Sequence, residues 1–165
     1  MLGNLSINNP CNIRNSSDRF IGEVVPSSNL QFKEFSKMTY GYRAYFKIIN
    51  TYKNKYGLST ISGIITRFAP PNENDTQAYI SFVADSLKVS PNSQLTFDSN
   101  TLVNLGYAMS YYENGIEPNI LEVQQGLELA SVIDIVKGVS FGGLLVLSAI
   151  VTVVFFSKRE KKSST

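Results

Sequence analysis

The chain has 165 residues, and its 15 basic residues nearly balance its 13 acidic ones, with no histidine, no tryptophan and one cysteine. Without histidine, Ser-His-Asp and Cys-His nucleophile systems, imidazole proton transfer and His-bearing zinc sites are excluded. A single cysteine excludes an intramolecular disulfide and a Cys-rich metal cluster. Any catalysis must use carboxylates, tyrosines, lysines, hydroxyls or backbone donors, and we expect no cofactor and no metal.

Residues 1–131 predict one mainly α-helical domain with polar loops. The least regular stretch is 1–37, for which we predict a loop or short hairpin above aromatic core anchors. Five helices follow, each assigned from apolar residues at helical spacing between capping residues and glycine or proline stops. Their predicted ranges are about 38–56, closed by Gly57, then 60–68, 74–88, 98–114, and from Pro118 through Ala130.

The next segment predicts a membrane-spanning helix. From Gly138 to Phe156 run 19 residues without a charge or a proline. As a helix they would measure roughly 28 Å, close to the roughly 30 Å hydrocarbon core of a bilayer. We therefore predict a single transmembrane helix within residues 132–157, with a buried core helix or a β-rich segment as the alternative.

The tail, residues 158–165, contains most of the chain's excess positive charge. Its segment Lys158–Lys162 has a net charge of +3, whereas the whole chain has a net charge of +2. The rest of the chain therefore has a net charge of −1. We expect the tail to face lipid head groups, and we expect no specific nucleic-acid partner. Gly138 and Gly142 have the Gly-xxx-Gly spacing that lets two membrane helices approach closely, which would allow a homodimer.

Two loops are denser in polar groups than a helical bundle requires. The first is Asn8–Arg14, and the second runs from Phe68 to Thr76. In the second loop, prolines stiffen the backbone that delivers Glu73 to a helix N-terminus, an arrangement suited to an acid catalyst. The alternative is structural, because a carboxylate there also interacts favourably with the helix dipole.

The chain resembles the phage and prophage structural protein five family over about residues 3–131. The resemblance lies in the segments NNPCNIR, RFIGE, FKEFSKMTYGYRA, KYGLSTISGIITRFAPPNENDTQAYISFVA and YYENG. Members are virion peptidoglycan hydrolases related to lytic transglycosylases. The resemblance implies a lysozyme-like helical fold that cleaves the β-1,4 bond between N-acetylmuramic acid and N-acetylglucosamine, so that the phage can penetrate the host cell wall during entry.

The resemblance also implies site residues. The candidates for the catalytic acid, in order of preference, are Glu73, Glu23 and Glu113. The side chains expected to position substrate N-acetyl or hydroxyl groups, or to hold the loop, are Asn12, Arg14, Asn74, Thr76 and Tyr79.

This sequence departs from the family pattern at three positions. The family usually has glycine where Cys11 stands and tryptophan where Phe20 and Phe68 stand. Phenylalanine keeps the apolar ring but lacks the indole N–H donor. A cysteine would be strained if the backbone at position 11 had a positive φ.

For partners and location, the resemblance implies glycan strands of peptidoglycan, a lipid membrane and capsid proteins. The protein would lie in the internal membrane of the virion, and in the host inner membrane during assembly. The alternative function is a non-catalytic structural protein that tethers a viral membrane to the capsid. A groove with a partly buried glutamate favours the enzyme, whereas distant, fully exposed glutamates favour the structural protein.

Overall fold

The computed structural model describes residues 4–138, with side chains described for residues 4–131. The chain divides into two compact units, Met1–Ala130 and Ser131–Thr165. The described part begins with a short 3-10 helix, Asn4–Ile7. The remaining elements, in chain order, are β1 (Glu23–Val24), β2 (Glu34–Phe35), α1 (Met38–Tyr56), α2 (Ile61–Phe68), α3 (Thr76–Leu87), α4 (Ser99–Asn114) and α5 (Ile120–Gly138).

The predicted hairpin is present near the N-terminus. Strands β1 and β2 pair antiparallel, with Glu23 opposite Phe35, and an isolated bridge joins Arg14 to Phe32. Of the aromatic anchors, Phe35 is fully buried, whereas Phe20 and Phe32 are partly buried. The hairpin contacts α1 through β2.

The helices begin and end at local signals that the sequence displays. Thr60, Asp75 and Asp98 cap α2, α3 and α4 by accepting hydrogen bonds from backbone N–H groups at 2.8–3.1 Å. Gly57 ends α1 in the left-handed region with φ 66°. Helix α5 begins at Ile120, two residues after Pro118, which was predicted to lie in its first turn. The side chain of Asn119 caps it by accepting from the N–H of Leu121 at 3.0 Å.

Three fully buried tyrosines join the helices around one core. The Tyr42 hydroxyl lies 2.9 Å from Ser110 Oγ, and the Tyr45 hydroxyl donates to Met109 Sδ at 3.1 Å. From α3, the Tyr79 hydroxyl donates to the backbone oxygen of Met109 at 3.3 Å. Since each buried hydroxyl has a partner, these rings contribute apolar burial without an orphaned polar group, and they fix α1 and α3 to α4.

The predicted fold class needs a correction. Its mainly helical part agrees with the structure, but none of the helices within residues 4–138 combines the length and apolar character that crossing a bilayer requires. The prediction rested on the run from Gly138 to Phe156, and residues 139–156 lie outside the described residues, as do Gly142 and the tail. The described part is therefore a five-helix structure with an N-terminal hairpin.

Candidate active site

Asparagine amides shape the first polar loop. Asn9 is fully buried, and its side chain both donates to the Ile13 oxygen at 2.9 Å and accepts from the Ile13 N–H at 2.8 Å. It also donates to the Lys33 oxygen at 2.8 Å, next to β2. The backbone of residues 9–13 is thereby folded around one side chain and fixed against the hairpin.

The same loop is attached to the end of α4. Asn114, the last residue of that helix, donates to the Pro10 oxygen and to the Ser110 oxygen, both at 2.7 Å. On α1, Gly41 allows the loop to approach, since a Cβ there would lie 2.2 Å from the Asn8 oxygen. These contacts bring the loop close to the residue before Asn114, which is Glu113.

Glu113 is held by a short relay of side-chain amides. Asn12 donates through Nδ2 to Glu113 Oε2 at 2.6 Å. The other end of the amide, Asn12 Oδ1, accepts from the backbone N–H of Asn4 at 3.1 Å and from Asn4 Nδ2 at 2.8 Å. Asn4 therefore fixes which way the Asn12 amide faces. Asn12 itself has φ 50°, so the positive φ considered for Cys11 falls one residue later, and Cys11 is fully buried.

The carboxyl group of Glu113 is partly buried and lacks a cationic partner among the residues described. Burial raises its pKa above the usual glutamate value of 4.5, although the hydrogen bond from Asn12 favours the ionised form. Burial, with the nearby Glu113 charge, also raises the pKa of Tyr79 well above 10, so this phenol is a neutral donor. The Tyr112 ring stacks on Tyr79 with centroids 3.9 Å apart. Glu113 thus has the properties of a proton donor.

An open groove of about 620 Å³, which we call the Glu113 groove, gives access to this carboxyl group. Its volume lies in the range of ligand sites. Six of the eight residues predicted from the sequence line it: Asn12, Arg14, Glu73, Asn74, Tyr79 and Glu113. The structure therefore brings both polar loops and the end of α4 to one cleft.

Glu73 lines the same groove but has a different environment. It forms an ion pair with Arg14, in which Arg14 Nη2 lies 2.6 Å from Glu73 Oε2. The Glu73 side chain is 43% exposed and that of Arg14 is 66% exposed. Asn74 donates to the Pro70 oxygen at 3.2 Å, which helps to hold the turn. This wall of the groove is consequently polar and open to water.

Two predicted residues lie outside the Glu113 groove. Thr76 is buried, and its hydroxyl donates to the Ala69 oxygen at 2.6 Å, which closes the turn between α2 and α3. Glu23 is 5% exposed and pairs with the fully buried Lys33 at 2.9 Å. Burial alone would raise the pKa of Glu23, but hydrogen bonds from Lys33 and the Phe20 N–H hold it below the usual value. The contacts of Thr76 and Glu23 thus stabilise the fold, Thr76 in the turn before α3 and Glu23 in the hairpin.

Other residues of the groove were not among the predicted site residues. Asn4 has no motif that would single it out, and its role follows only from its contact with Asn12. Tyr112 lies beside Glu113 in the helix predicted over 98–114, so its position could have drawn attention. Phe68, noted above only as a departure from the family pattern, supplies an apolar wall. For metals, no three His, Cys, Asp or Glu side chains converge within the described part of the chain.

Comparison with known proteins identifies the family. No protein-family model matches the chain. The chain is 40% identical over 125 residues to "Protein P5" of Pseudoalteromonas phage PM2, an alignment that covers 73% of this chain and 77% of that protein. At this identity and coverage, the two sequences share a common fold and origin. The chain therefore belongs to the family of phage PM2 Protein P5.

Proposed function

We propose that the chain is a phage virion protein that cleaves the glycan strands of peptidoglycan, with Glu113 as its general acid. Membership of the Protein P5 family supports a phage virion protein. The catalytic part depends on one observation, the partly buried Glu113 in an open groove, where burial raises the pKa of its carboxyl group. This choice differs from the sequence-based preference for Glu73.

In the proposed reaction, protonated Glu113 gives its proton to the glycosidic oxygen as an oxocarbenium-like transition state develops. The raised pKa keeps the proton on the acid at a higher pH than an exposed glutamate would allow. Asn12 donates to Oε2, so the proton of the neutral acid belongs on Oε1. Asn12 thereby orients the acid and leaves one oxygen for the substrate.

The second half of the reaction has two chemical routes. A hydrolase needs a water molecule and commonly a second carboxylate, and Glu73 lines the same groove. In a lytic transglycosylase the sugar's own 6-hydroxyl attacks the anomeric carbon and gives its proton to the Glu113 carboxylate, which restores the acid, so no second carboxylate is needed. The routes leave different sugar ends, reducing ends for hydrolysis and anhydro ends for transglycosylation, so product analysis distinguishes them.

The test is digestion of purified peptidoglycan by the full chain and by its Glu113→Gln variant. Glutamine is isosteric and can still accept the Asn12 hydrogen bond, but it cannot donate the proton. We expect the rate of glycan-end formation to fall by about 10²- to 10⁴-fold. Glu73→Gln is the matched control in the same groove, and it should retain activity within about tenfold if the route is transglycosylation.

Thermal unfolding of the same variants excludes a trivial loss through misfolding. A raised pKa in the folded state means that ionised Glu113 destabilises the fold above that pKa, so Glu113→Gln should melt at the same or a higher temperature at neutral pH. Full activity of Glu113→Gln would refute its assignment as the acid. If the folded wild-type chain produces no glycan ends, the enzyme proposal fails and the structural alternative stands.

A further inference from the structure

A second groove, of about 850 Å³, adjoins the Glu113 groove. It lies between α1, α2 and the segment that leads into the hairpin. The two grooves share part of their lining, namely Ile13, Arg14, Ile48, Tyr52 and Pro70. A branched ligand whose main chain lies in the Glu113 groove therefore has the second groove within reach of its branch.

The second groove, which we call the basic groove, has more basic than acidic side chains in its lining. The basic ones are Arg14, Arg19, Lys47, Lys55 and Arg67, and the acidic one is Asp18. Arg14 pairs with Glu73 at 2.6 Å and Arg19 with Glu23 at 3.3 Å, so part of this positive charge is already balanced. The lining still contrasts with the chain as a whole, which outside its basic tail carries −1. The charge is concentrated where a ligand would lie, and concave sites of one sign attract ligands of the other.

Two of these cations have no carboxylate partner among residues 4–131. The Arg67 guanidinium lies 3.5 Å from the centroid of the Tyr56 ring and 5.3 Å from that of Tyr52. Lys55 Nζ lies 5.5 Å from the centroid of Tyr56. Aromatic contacts hold such groups in place without neutralising them, and a stacked guanidinium still presents its N–H edge to a carboxylate.

We propose that the basic groove binds the carboxylates of the peptide stem on a peptidoglycan strand whose sugars lie in the Glu113 groove. The inference rests on the proposed function and adds the substrate's branch to it. Stems leave the glycan at N-acetylmuramic acid, beside the bond to be cleaved, and they carry several free carboxylates. The two grooves share five lining residues, and this adjacency favours a branch of the same ligand over a separate polyanion such as a nucleic acid.

Binding is measured with the full chain carrying Glu113→Gln, so that no glycan is consumed. The two probes are soluble glycan oligomers with intact tetrapeptide stems and the same oligomers after an amidase has removed the stems. We expect the stem-bearing oligomers to bind at least about fivefold more tightly at low salt, and this preference to shrink as salt screens the charges.

Substitutions in the basic groove should reduce that preference. Lys55→Gln and Arg67→Gln should each weaken binding of stem-bearing oligomers by about twofold to fivefold, the size expected of one exposed ion pair, and leave stem-free oligomers unaffected. Lys53→Gln is the matched control, because Lys53 is also on α1 and also lies over a ring, that of Phe97, outside the groove. It should bind both probes as the parent does.

Equal binding of the two probes, or equal effects of Lys53→Gln and Arg67→Gln, would overturn the proposal. A single-stranded oligonucleotide that binds more tightly than the stem-bearing oligomers would overturn it in favour of a nucleic acid. Since the readout is binding, it is independent of cleavage. A wild-type chain that cleaves nothing while keeping the stem preference would refute the proposed enzyme but not the basic groove.

Discussion

At the scale of single residues, the neighbours of each glutamate determine its chemistry. Glu23 is buried with a cation, Lys33, and its pKa is lowered. Glu113 is partly buried with a neutral amide, and its pKa is raised because the amide does not offset the loss of hydration. Glu73 shares the groove but pairs with Arg14 at the surface. A carboxylate close to a neutral donor is the one suited to carry a proton.

The Asn12–Glu113 contact predicts a shift in the pH dependence of cleavage. Asn12→Gly removes the amide donor while tolerating φ 50°. Without that donor the ionised carboxylate is less stable, so the pKa of Glu113 rises further. The alkaline limb of the kcat/KM profile should therefore move to higher pH. Asn74→Gly, in the same groove, should leave the limb in place, and a move of the Asn12→Gly limb to lower pH would contradict this account.

The sequence could identify the candidate residues but not rank them. Glu73 stands in a specific motif between prolines and a helix cap, and that local pattern drew attention to it. Glu113 acquires its environment from Asn12, which is 101 positions away in the chain, and from Tyr79 on another helix. Such contacts cannot be predicted from the spacing of residues along the chain, so only the structure shows the environment of Glu113.

At the scale of elements, the helices and a hairpin near the N-terminus were predictable, but the path of residues 8–14 was not. The helix ends depend on residues such as Thr60, Asp75 and Gly57, which act within three or four positions. The path of residues 8–14 depends on Asn9 and Asn114. Their side-chain amides form hydrogen bonds with backbone atoms that are distant in sequence, where a helix or strand would form regular backbone–backbone hydrogen bonds. Apolar periodicity cannot reveal such a segment, because its stability comes from polar side chains.

The buried ion pair of the hairpin predicts an acid-sensitive stability. Glu23→Gln leaves Lys33 buried without its counter-ion and should lower the free energy of unfolding by about 3 kcal/mol at neutral pH. Because the folded-state pKa of Glu23 is lowered, its stabilisation is full above the usual glutamate value of 4.5 and is lost as pH falls through the lowered value. Denaturant unfolding at neutral and acidic pH measures both effects.

An exposed carboxylate provides the control for this pair. Glu128→Gln on α5 should change the free energy of unfolding by less than about 0.5 kcal/mol at neutral pH. If Glu23→Gln behaved in the same way, the Lys33 ion pair would contribute nothing to the hairpin. A gap between the two variants that narrows in acid is the expected result.

At the scale of the whole first unit, the N-terminal segment joins the helices into one structure with a groove. It contacts α1 at Gly41, the end of α4 at Asn114, and the backbone of Lys33 beside β2. The helices alone would leave Glu113 uncovered on this side. Stability and the proposed activity should therefore depend together on this segment.

Asn9→Ala tests that dependence. The substitution leaves the buried backbone groups of Ile13 and Lys33 without their partner, and it should cost about 2 kcal/mol or more of stability and weaken cleavage. Asn15→Ala is the matched control, since the Asn15 side chain also bonds two backbone oxygens but at the surface, and it should cost less than about 1 kcal/mol. Similar unfolding midpoints for the two variants would show that the Asn9 contacts of the N-terminal segment do not stabilise the first unit.

The relay from Asn4 through Asn12 to Glu113 also has a consequence for synthesis of the chain. Its first and last members are separated by most of the first unit, and this contact order places the completed groove late in folding. While a ribosome has made only part of the chain, Glu113 is either absent or an ordinary hydrated glutamate. A nascent or truncated product that ends before Glu113 would therefore lack the proposed acid, whereas the relay uses no residue beyond the first unit.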